Sequence, residues 1–232
     1  MKKIEIKAIS FDFWNTLYIH NYTKTKRKEI RNNSIEYFFK NYKNDQLYDE
    51  LINSFFNNVD TFVKNRWESN LSSSDSEITN YIYDFYNKKY PKHFLLDLLN
   101  ELYRIYENEL KPIQLPYVEN IIKSLHEKIK LFIISDTYTI KSDSIERILK
   151  KDNLDRYFIE KYFSDRIGEQ KPSSKTINII MERENIDSKN ILHIGDLIEK
   201  DFKLAENSGC YFIHYSTNQE NSLISSQYLM PQ

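Results

Sequence analysis

Glycine is nearly absent from this chain. Its 232 residues include only Gly168, Gly195 and Gly209, all in the C-terminal third. A sequence this sparing keeps glycine where the backbone needs positive φ or a close approach, so the segments around these three are singled out at once. Cysteine is scarcer: Cys210 stands alone. That excludes an intramolecular disulfide and a zinc cluster, and makes a reducing, cytoplasmic setting the expectation. No run approaches the ~18 apolar residues of a membrane helix. Neither charge is in excess, with 33 basic against 34 acidic residues and a formal net charge of −1. The clustered basic surface of a nucleic-acid binder is therefore not expected, and neither nucleic acid nor membrane is expected as a partner. A GxxxxGK[ST] phosphate loop is also missing, which leaves an ATP-driven activity without support. The N-terminal Ile4-Glu5-Ile6-Lys7 alternates like a strand, unlike the apolar stretch of a leader peptide.

What is present falls into two kinds of pattern. Residues 4–11 read as a strand. From about 24 to 111 the periodicity is helical and rich in aromatics, with Ile35, Phe38, Phe39 and Tyr42, then Leu51, Phe55 and Val59. Phe94, Leu95, Leu98, Leu99, Leu102, Ile105 and Tyr106 mark a strongly amphipathic helix. The break Ser72-Ser73-Ser74-Asp75-Ser76 separates two helical halves and offers an N-terminal cap to the second half. After Pro112 and Pro116, strands and helices alternate. Helices are expected near 116–128, 139–151, 173–185 and 199–208, and strands at 129–134, near 162–163, at 191–194 and at 211–214. Such alternation predicts a parallel sheet with right-handed crossovers. The first strand is cut off from the others by the helical block, which is therefore read as an insert. The polar tail after Tyr215 is expected to be poorly ordered.

Four strand-end segments carry the candidate chemistry. Asp12 and Thr16 follow Ile9-Ser10-Phe11, and Ser135 with Asp136 follows Ile129–Ile134. Lys171 lies in Gly168-Glu169-Gln170-Lys171-Pro172, and Asp196 and Asp201 follow Ile191–Ile194 in Gly195-Asp196-Leu197-Ile198-Glu199-Lys200-Asp201. The carboxyl ends of neighbouring parallel strands share one edge, so these groups can converge. Asp12 and Asp196 offer hard oxygen ligands suited to Mg²⁺. Ser135 and Lys171 can hold phosphoryl oxygens, and Asp12 can attack in line to form an aspartyl intermediate. Other features have simpler readings. His193, alternating with apolar residues, reads as core. The basic cluster Lys24, Lys26, Arg27, Lys28 and Arg31 reads as a solvated helix face, and Tyr81, Tyr83, Phe85, Tyr86 and Tyr90 read as helical core or interface.

In this order the four segments resemble the haloacid dehalogenase-like hydrolase superfamily, whose signature is DxDx(T/V), a strand-ending Ser or Thr, a Lys, and GDxxxxD. The resemblance covers residues 4–17 and about 112–215. It implies an α/β Rossmann-like parallel-sheet core (1–17 and 112–232) with an inserted all-helical cap (18–111), as in the subclass with a helical C1-type cap. It also implies a hydrolase, a Mg²⁺-dependent phosphatase acting on a small phosphorylated metabolite. Asp12 would then be nucleophile and metal ligand, the Trp14 carbonyl and Asp196 further ligands, and Asp201 a supporting member of the metal site. Thr16, Ser135, Asp136 and Lys171 would bind the phosphoryl group, with Ser135 and Lys171 also catalytic. Asn15 stands where the family commonly has Gly, and Asn tolerates positive φ. The departure is Trp14, in place of the second Asp, which protonates the leaving oxygen. Trp donates a hydrogen bond but transfers no proton. This points to a good leaving group such as an acyl phosphate, to an acid supplied elsewhere, to carbon–halogen hydrolysis, or to a catalytically degenerate phosphate-binding protein.

Overall fold

The computed structural model describes residues 4–42, 48–215 and 227–229. These divide into two compact units, one of 4–19, 113–136, 149–215 and 227–229 and one of 20–42, 48–112 and 137–148.

In the first unit the apolar runs become strands: β1 (Ala8–Phe11), β2 (Tyr18–Ile19), β3 (Ile113–Gln114), β4 (Lys130–Ser135), β5 (Glu160–Phe163), β6 (Ile191–Gly195), β7 (Tyr211–His214) and β8 (Gln227–Leu229). Six of them form one sheet in the order β5-β4-β1-β6-β7-β8. β1 is flanked by β4 and β6, so Phe11 stands opposite both Ile133 and Ile194. Every pairing in this sheet is parallel except that of β7 with β8. The central strands β1 and β4, buried on both faces, are near-continuous in apolar residues, as parallel strands are. The chain moves from β1 to one side for β4 and β5, then crosses back for β6 and β7. That reversal creates a crevice at the carboxyl ends of β1 and its neighbours, where open α/β sheets bind ligands.

One face of the sheet packs Ala8, Phe132, Ile134, Tyr162, Ile191 and Phe212 against Ile177 and Ile180 of a helix at Lys175–Glu184 and Leu204 and Ala205 of a helix at Lys203–Ser208. Two local differences from the expected pattern appear. The first strand is confined to Ala8–Phe11. The helix expected from 199 begins as a π-helical turn at Ile198–Phe202, a form that concentrates at functional sites. Of the tail after Tyr215, only 227–229 lie within the described residues, and they form the antiparallel edge strand β8, which strand–helix alternation does not foretell.

The second unit is helical. It holds α1 (Lys24–Tyr42), α2 (Tyr48–Glu68), α3 (Asp75–Phe85) and α4 (Lys92–Asn108). The seven apolar positions marked on α4 are all buried. The serine-rich break works as a cap: Ser74 accepts from the Glu77 amide while the Glu77 carboxylate accepts from the Ser74 amide, a reciprocal capping box. This unit also takes in 137–148, where Arg147 and Ser144 donate to Glu107 and Thr139 donates to Asp60. No helix among the described residues is long and apolar enough to cross a membrane.

Candidate active site

The carboxyl edge of the sheet gathers the candidate residues. Asp12 follows directly on β1, and its amide donates to the Ile194 carbonyl at 2.8 Å, which extends the β1–β6 pairing by one residue. The chain then turns tightly. The Leu17 and Tyr18 amides both return to the Phe13 carbonyl, and the Asn15 amide donates to the Tyr18 carbonyl. Phe13 and Tyr18 stack with ring centroids 4.6 Å apart, and the half-buried Trp14 ring packs edge-on against Phe13 at 4.8 Å. The turn places Asn15 at φ 54°, a left-handed conformation that Asn accepts more readily than other side-chain-bearing residues. Thr16 is buried, with its Oγ1 lacking a hydrogen-bond partner among the described residues.

At the centre, Lys171 Nζ donates to Asp12 Oδ1 and to Asp201 Oδ1, each at 2.6 Å. All three side chains are buried. Lys171 reaches this point from the loop after β5, where its own amide donates to Asp136 Oδ1 at 3.0 Å. Asp136 follows Ser135, the last residue of β4, so the lysine loop is fastened to the end of β4. Among the described residues, Ser135 Oγ makes only a long 3.4 Å contact with the Asp136 carbonyl. Asp136 Oδ2 faces Lys200 Nζ at 3.9 Å, and Lys200 donates to Gln170 Oε1 at 3.3 Å.

Asp201 is the most constrained of the carboxylates. Its Oδ1 accepts from Lys171 and lies 2.9 Å from His193 Nε2, and its Oδ2 accepts from the Leu197 amide at 3.0 Å. A carboxylate accepts only, so His193 carries its hydrogen on Nε2, and Nδ1 is left to accept from Ser10 Oγ at 2.9 Å. The π-helical turn brings Asp201 back over Gly195. A Cβ on Gly195 would fall 2.2 Å from Asp201 Cγ, so only glycine fits there. Asp196 is less buried, and its Oδ2 accepts from Asn15 Nδ2 at 2.9 Å. Its backbone carbonyl lies 2.9 Å from His214 Nε2.

The electrostatics separate two neighbouring carboxyls. Burial pushes Asp12 up to about 8 against the pull of Lys171, and the charges of Asp201 and Asp196 push the same way as burial. Burial also acts to raise Asp201, but Lys171 and the His193 hydrogen bond overcome it and hold Asp201 below the ordinary carboxylate range. For Lys171, burial is outweighed by the charges of Asp12, Asp201 and Asp136, so the ammonium is held charged. Burial pushes Asp136 and Asp196 up and His193 and Lys200 down. Four carboxylates thus face two ammoniums. Asp12, Asp196 and Asp201 bring oxygens within 4.8 Å of one another. Among the described residues no hydrogen bond reaches Asp12 Oδ2, which leaves that oxygen open. A surplus of clustered hard oxygens fits a divalent cation, because oxygen ligands and net negative charge are what Mg²⁺ takes.

The structure therefore brings together Asp12, Ser135, Asp136, Lys171, Asp196 and Asp201 at one edge, with Trp14 and Thr16 in the turn after Asp12. Sequence reasoning missed Ser10, Gln170, His193 and Lys200 as members of the network. It also missed the hydrogen bond from Asn15 to Asp196. The available signals were weak ones: a histidine two residues before the strand-ending glycine, and a lysine beside Asp201.

Residues 6–209 match the family described as haloacid dehalogenase-like hydrolase. Among curated proteins, the chain is 24% identical over 133 residues to the phosphoglycolate phosphatase of Vibrio vulnificus (strain YJ016), an overlap of 56% of this chain and 57% of that protein. The chain thus spans little more than half the length of that relative. Among solved structures, it is similar to 2-haloacid dehalogenase from Pseudomonas syringae pv. Tomato DC3000, with a TM-score of 0.65 and 16% identity over 97% of this chain and 92% of that one. It is also similar to the HAD-hydrolase YfnB of Bacillus subtilis, a structure bound to magnesium, with a TM-score of 0.58 and 16% identity over 98% and 93% of the two chains. At these identities the structural likeness is one of fold.

Proposed function

The chain belongs to the haloacid dehalogenase-like hydrolases, and from that premise we propose that it is a Mg²⁺-dependent phosphatase acting on a small phosphorylated metabolite through an aspartyl-phosphate on Asp12. The observation that carries this reading is the buried Asp12–Lys171–Asp201 cluster beside Asp196 at the carboxyl edge of the sheet. The partial match to a phosphoglycolate phosphatase supports phosphoryl chemistry.

Each residue has its own share of the work. Asp12, Asp196 and the Trp14 carbonyl would hold the cation, whose charge would offset theirs so that an anionic phosphoryl group could approach a carboxylate. Asp12 attacks phosphorus through its open oxygen, the bond to the leaving oxygen breaks, and water then hydrolyses the acyl phosphate. Lys171, Thr16 Oγ1 and Ser135 Oγ donate to the phosphoryl oxygens, and Asp136 fixes the loop that carries Lys171. Asp201, with both oxygens held by protein donors, orients Lys171 and supports the metal site from behind the ligands. Residues 18–111 serve as a cap that selects the substrate.

Trp14 shapes the specificity. The position offers no carboxyl to protonate the leaving oxygen, so turnover favours groups that depart unprotonated, acyl phosphates first. The crowded, metal-suited carboxylates weigh against a metal-independent carbon–halogen hydrolysis.

Rapid acid quench and peptide mass spectrometry test this directly. With acetyl phosphate and Mg²⁺, the peptide containing Asp12 should gain the mass of one phosphoryl group, and the Asp12→Asn protein should gain none. Label on another residue, or equal label in both proteins, sinks the reading.

A further inference from the structure

Asparagine is this chain's usual residue for left-handed backbone. In the first unit Asn15, Asn153 and Asn185 have φ of 54°, 57° and 52°. Glycine meets that need without a side chain, and asparagine meets it with one. Asn15 puts its side chain to use. Its Nδ2 donates to Asp196 Oδ2 at 2.9 Å, across 181 positions of sequence. The side chains of Asn153 and Asn185 make no hydrogen bond among the described residues.

The backbone of Asp196 is fixed from the other side. Its carbonyl accepts from His214 Nε2 at 2.9 Å, and the carbonyl of Gly195 before it accepts from the Tyr215 amide at 2.9 Å. With the main chain held by the end of β7, what Asp196 keeps is the rotation of its side chain, and Asn15 settles that rotation. The donor is itself held, because the Asn15 amide donates to the Tyr18 carbonyl at 2.7 Å. An exposed hydrogen bond of this kind adds little stability, since it replaces bonds to water. Its chemistry is nevertheless specific. Asp12 and Asp201 are each held by the Lys171 ammonium, which competes with a metal for their charge. Asp196 forms no ion pair among the described residues, and the side chain that reaches it is a neutral amide. An amide orients a carboxylate without neutralising it, which leaves the charge of Asp196 to a cation.

We propose that Asn15 is a positioning residue for the cation site: its amide sets the orientation of the Asp196 carboxylate and so favours a cation of strict geometry, Mg²⁺, over Ca²⁺. The inference rests on the metal-dependent reading above. Mg²⁺ demands near-ideal octahedral geometry, whereas Ca²⁺ accepts roughly 6–8 oxygens in flexible arrangements and takes a carboxylate through one oxygen or both. Fixing one carboxylate therefore matters more to the smaller ion. Partners that orient a ligand in this way are worth roughly 10–100-fold in metal affinity.

The test is isothermal titration calorimetry of the metal-free full chain with Mg²⁺ and with Ca²⁺. Asn15→Gly keeps the left-handed turn and removes the donor. Asn153→Gly makes the same exchange where the side chain is unused. Asn15→Gly should bind Mg²⁺ about tenfold more weakly than wild type and lose less toward Ca²⁺, while Asn153→Gly binds both as wild type does. Without metal the two variants should melt together, which separates orientation of a ligand from damage to the fold. The inference is overturned by unchanged Mg²⁺ affinity in Asn15→Gly, by the same loss in Asn153→Gly, by equal losses for the two cations, or by metal-free Asn15→Gly melting well below Asn153→Gly. In each of those cases wild type still binds Mg²⁺ and the metal-dependent reading stands. A wild type that binds no Mg²⁺ overturns both, so the two failures are told apart.

Discussion

Lys171 Nζ stands 2.6 Å from Asp12 Oδ1, a buried pair in which the proposed nucleophile leans on the residue proposed to hold its substrate. The same ammonium also serves Asp201. Removing it strands the ionised Asp201 carboxylate in the interior, and breaking a buried pair from one side costs roughly 3–5 kcal/mol. Lys171→Gln should therefore lower the midpoint of chemical denaturation sharply. Equal stability of Lys171→Gln and wild type would contradict the cluster as described.

The raised pKa of Asp12 makes a signed prediction. Its folded value of about 8 lies above the ordinary 3.8, so the folded state binds the extra proton. The stability this contributes is complete below about pH 4 and is lost as pH rises through about 8. Asn resembles the protonated carboxyl and never ionises. In metal-free protein, Asp12→Asn should therefore melt close to wild type near pH 4 and clearly above it near pH 8.5. One pKa unit is worth about 1.4 kcal/mol, and the gain should reach at least that. Excess Mg²⁺ should narrow the gap by stabilising the wild type. A difference independent of pH would contradict the assignment.

Gly195 is fixed by contact rather than by φ. A methyl group there meets Asp201 at 2.2 Å, backed by a side chain that is itself held by Lys171, His193 and the Leu197 amide. Gly195→Ala should cost about 1–3 kcal/mol, as overpacking does. It should also reduce Mg²⁺-dependent turnover more than Gly168→Ala, which is strained by its φ of +80° but whose methyl group meets no atom within 4 Å. Thermal melts and phosphate release on the two variants check this.

His193 acts on the site through Asp201. Leucine at this position removes one donor from Asp201 and the acceptor of Ser10 Oγ. The expected cost is about 1–3 kcal/mol for leaving buried polar groups unsatisfied. The Asp201 carboxyl should titrate at higher pH in His193→Leu, read from its carbon NMR shift. An unmoved Asp201 would reduce His193 to packing.

Much of this was legible in the sequence because it rests on local pattern. Apolar runs ending in Asp12, Ser135 and Gly195-Asp196 place those residues at strand ends, and parallel strands must share an edge. The helix faces of 94–106 and the Ser74 cap come from periodicity and hydrogen-bonding chemistry in the same way. The features that stayed hidden depend on pairing across long separations. His193 alternates with apolar residues and is fully buried, so it reads as core, and only the return of the chain at Asp201 gives it a polar partner. Lys200 carries no local signal, and only the fold brings Asp136 and Gln170 to it. Within the basic face of α1, Lys24, Lys26 and Lys28 are exposed as expected, but Phe56 and Asp60 of α2 close around Arg31. The strand at 227–229 is too short and polar to declare itself without β7 beside it.

The central claim is that Asp12 carries phosphoryl chemistry without an acid at position 14. The most direct measurement is phosphate release from a panel of acyl phosphates and alkyl phosphate esters, with and without Mg²⁺, by wild type and Asp12→Asn. The account predicts release that needs both Mg²⁺ and Asp12, and that favours acyl phosphates by about the 10²–10⁴-fold that general acid catalysis is worth. Release that persists in Asp12→Asn, or no release from any member of the panel, would contradict it.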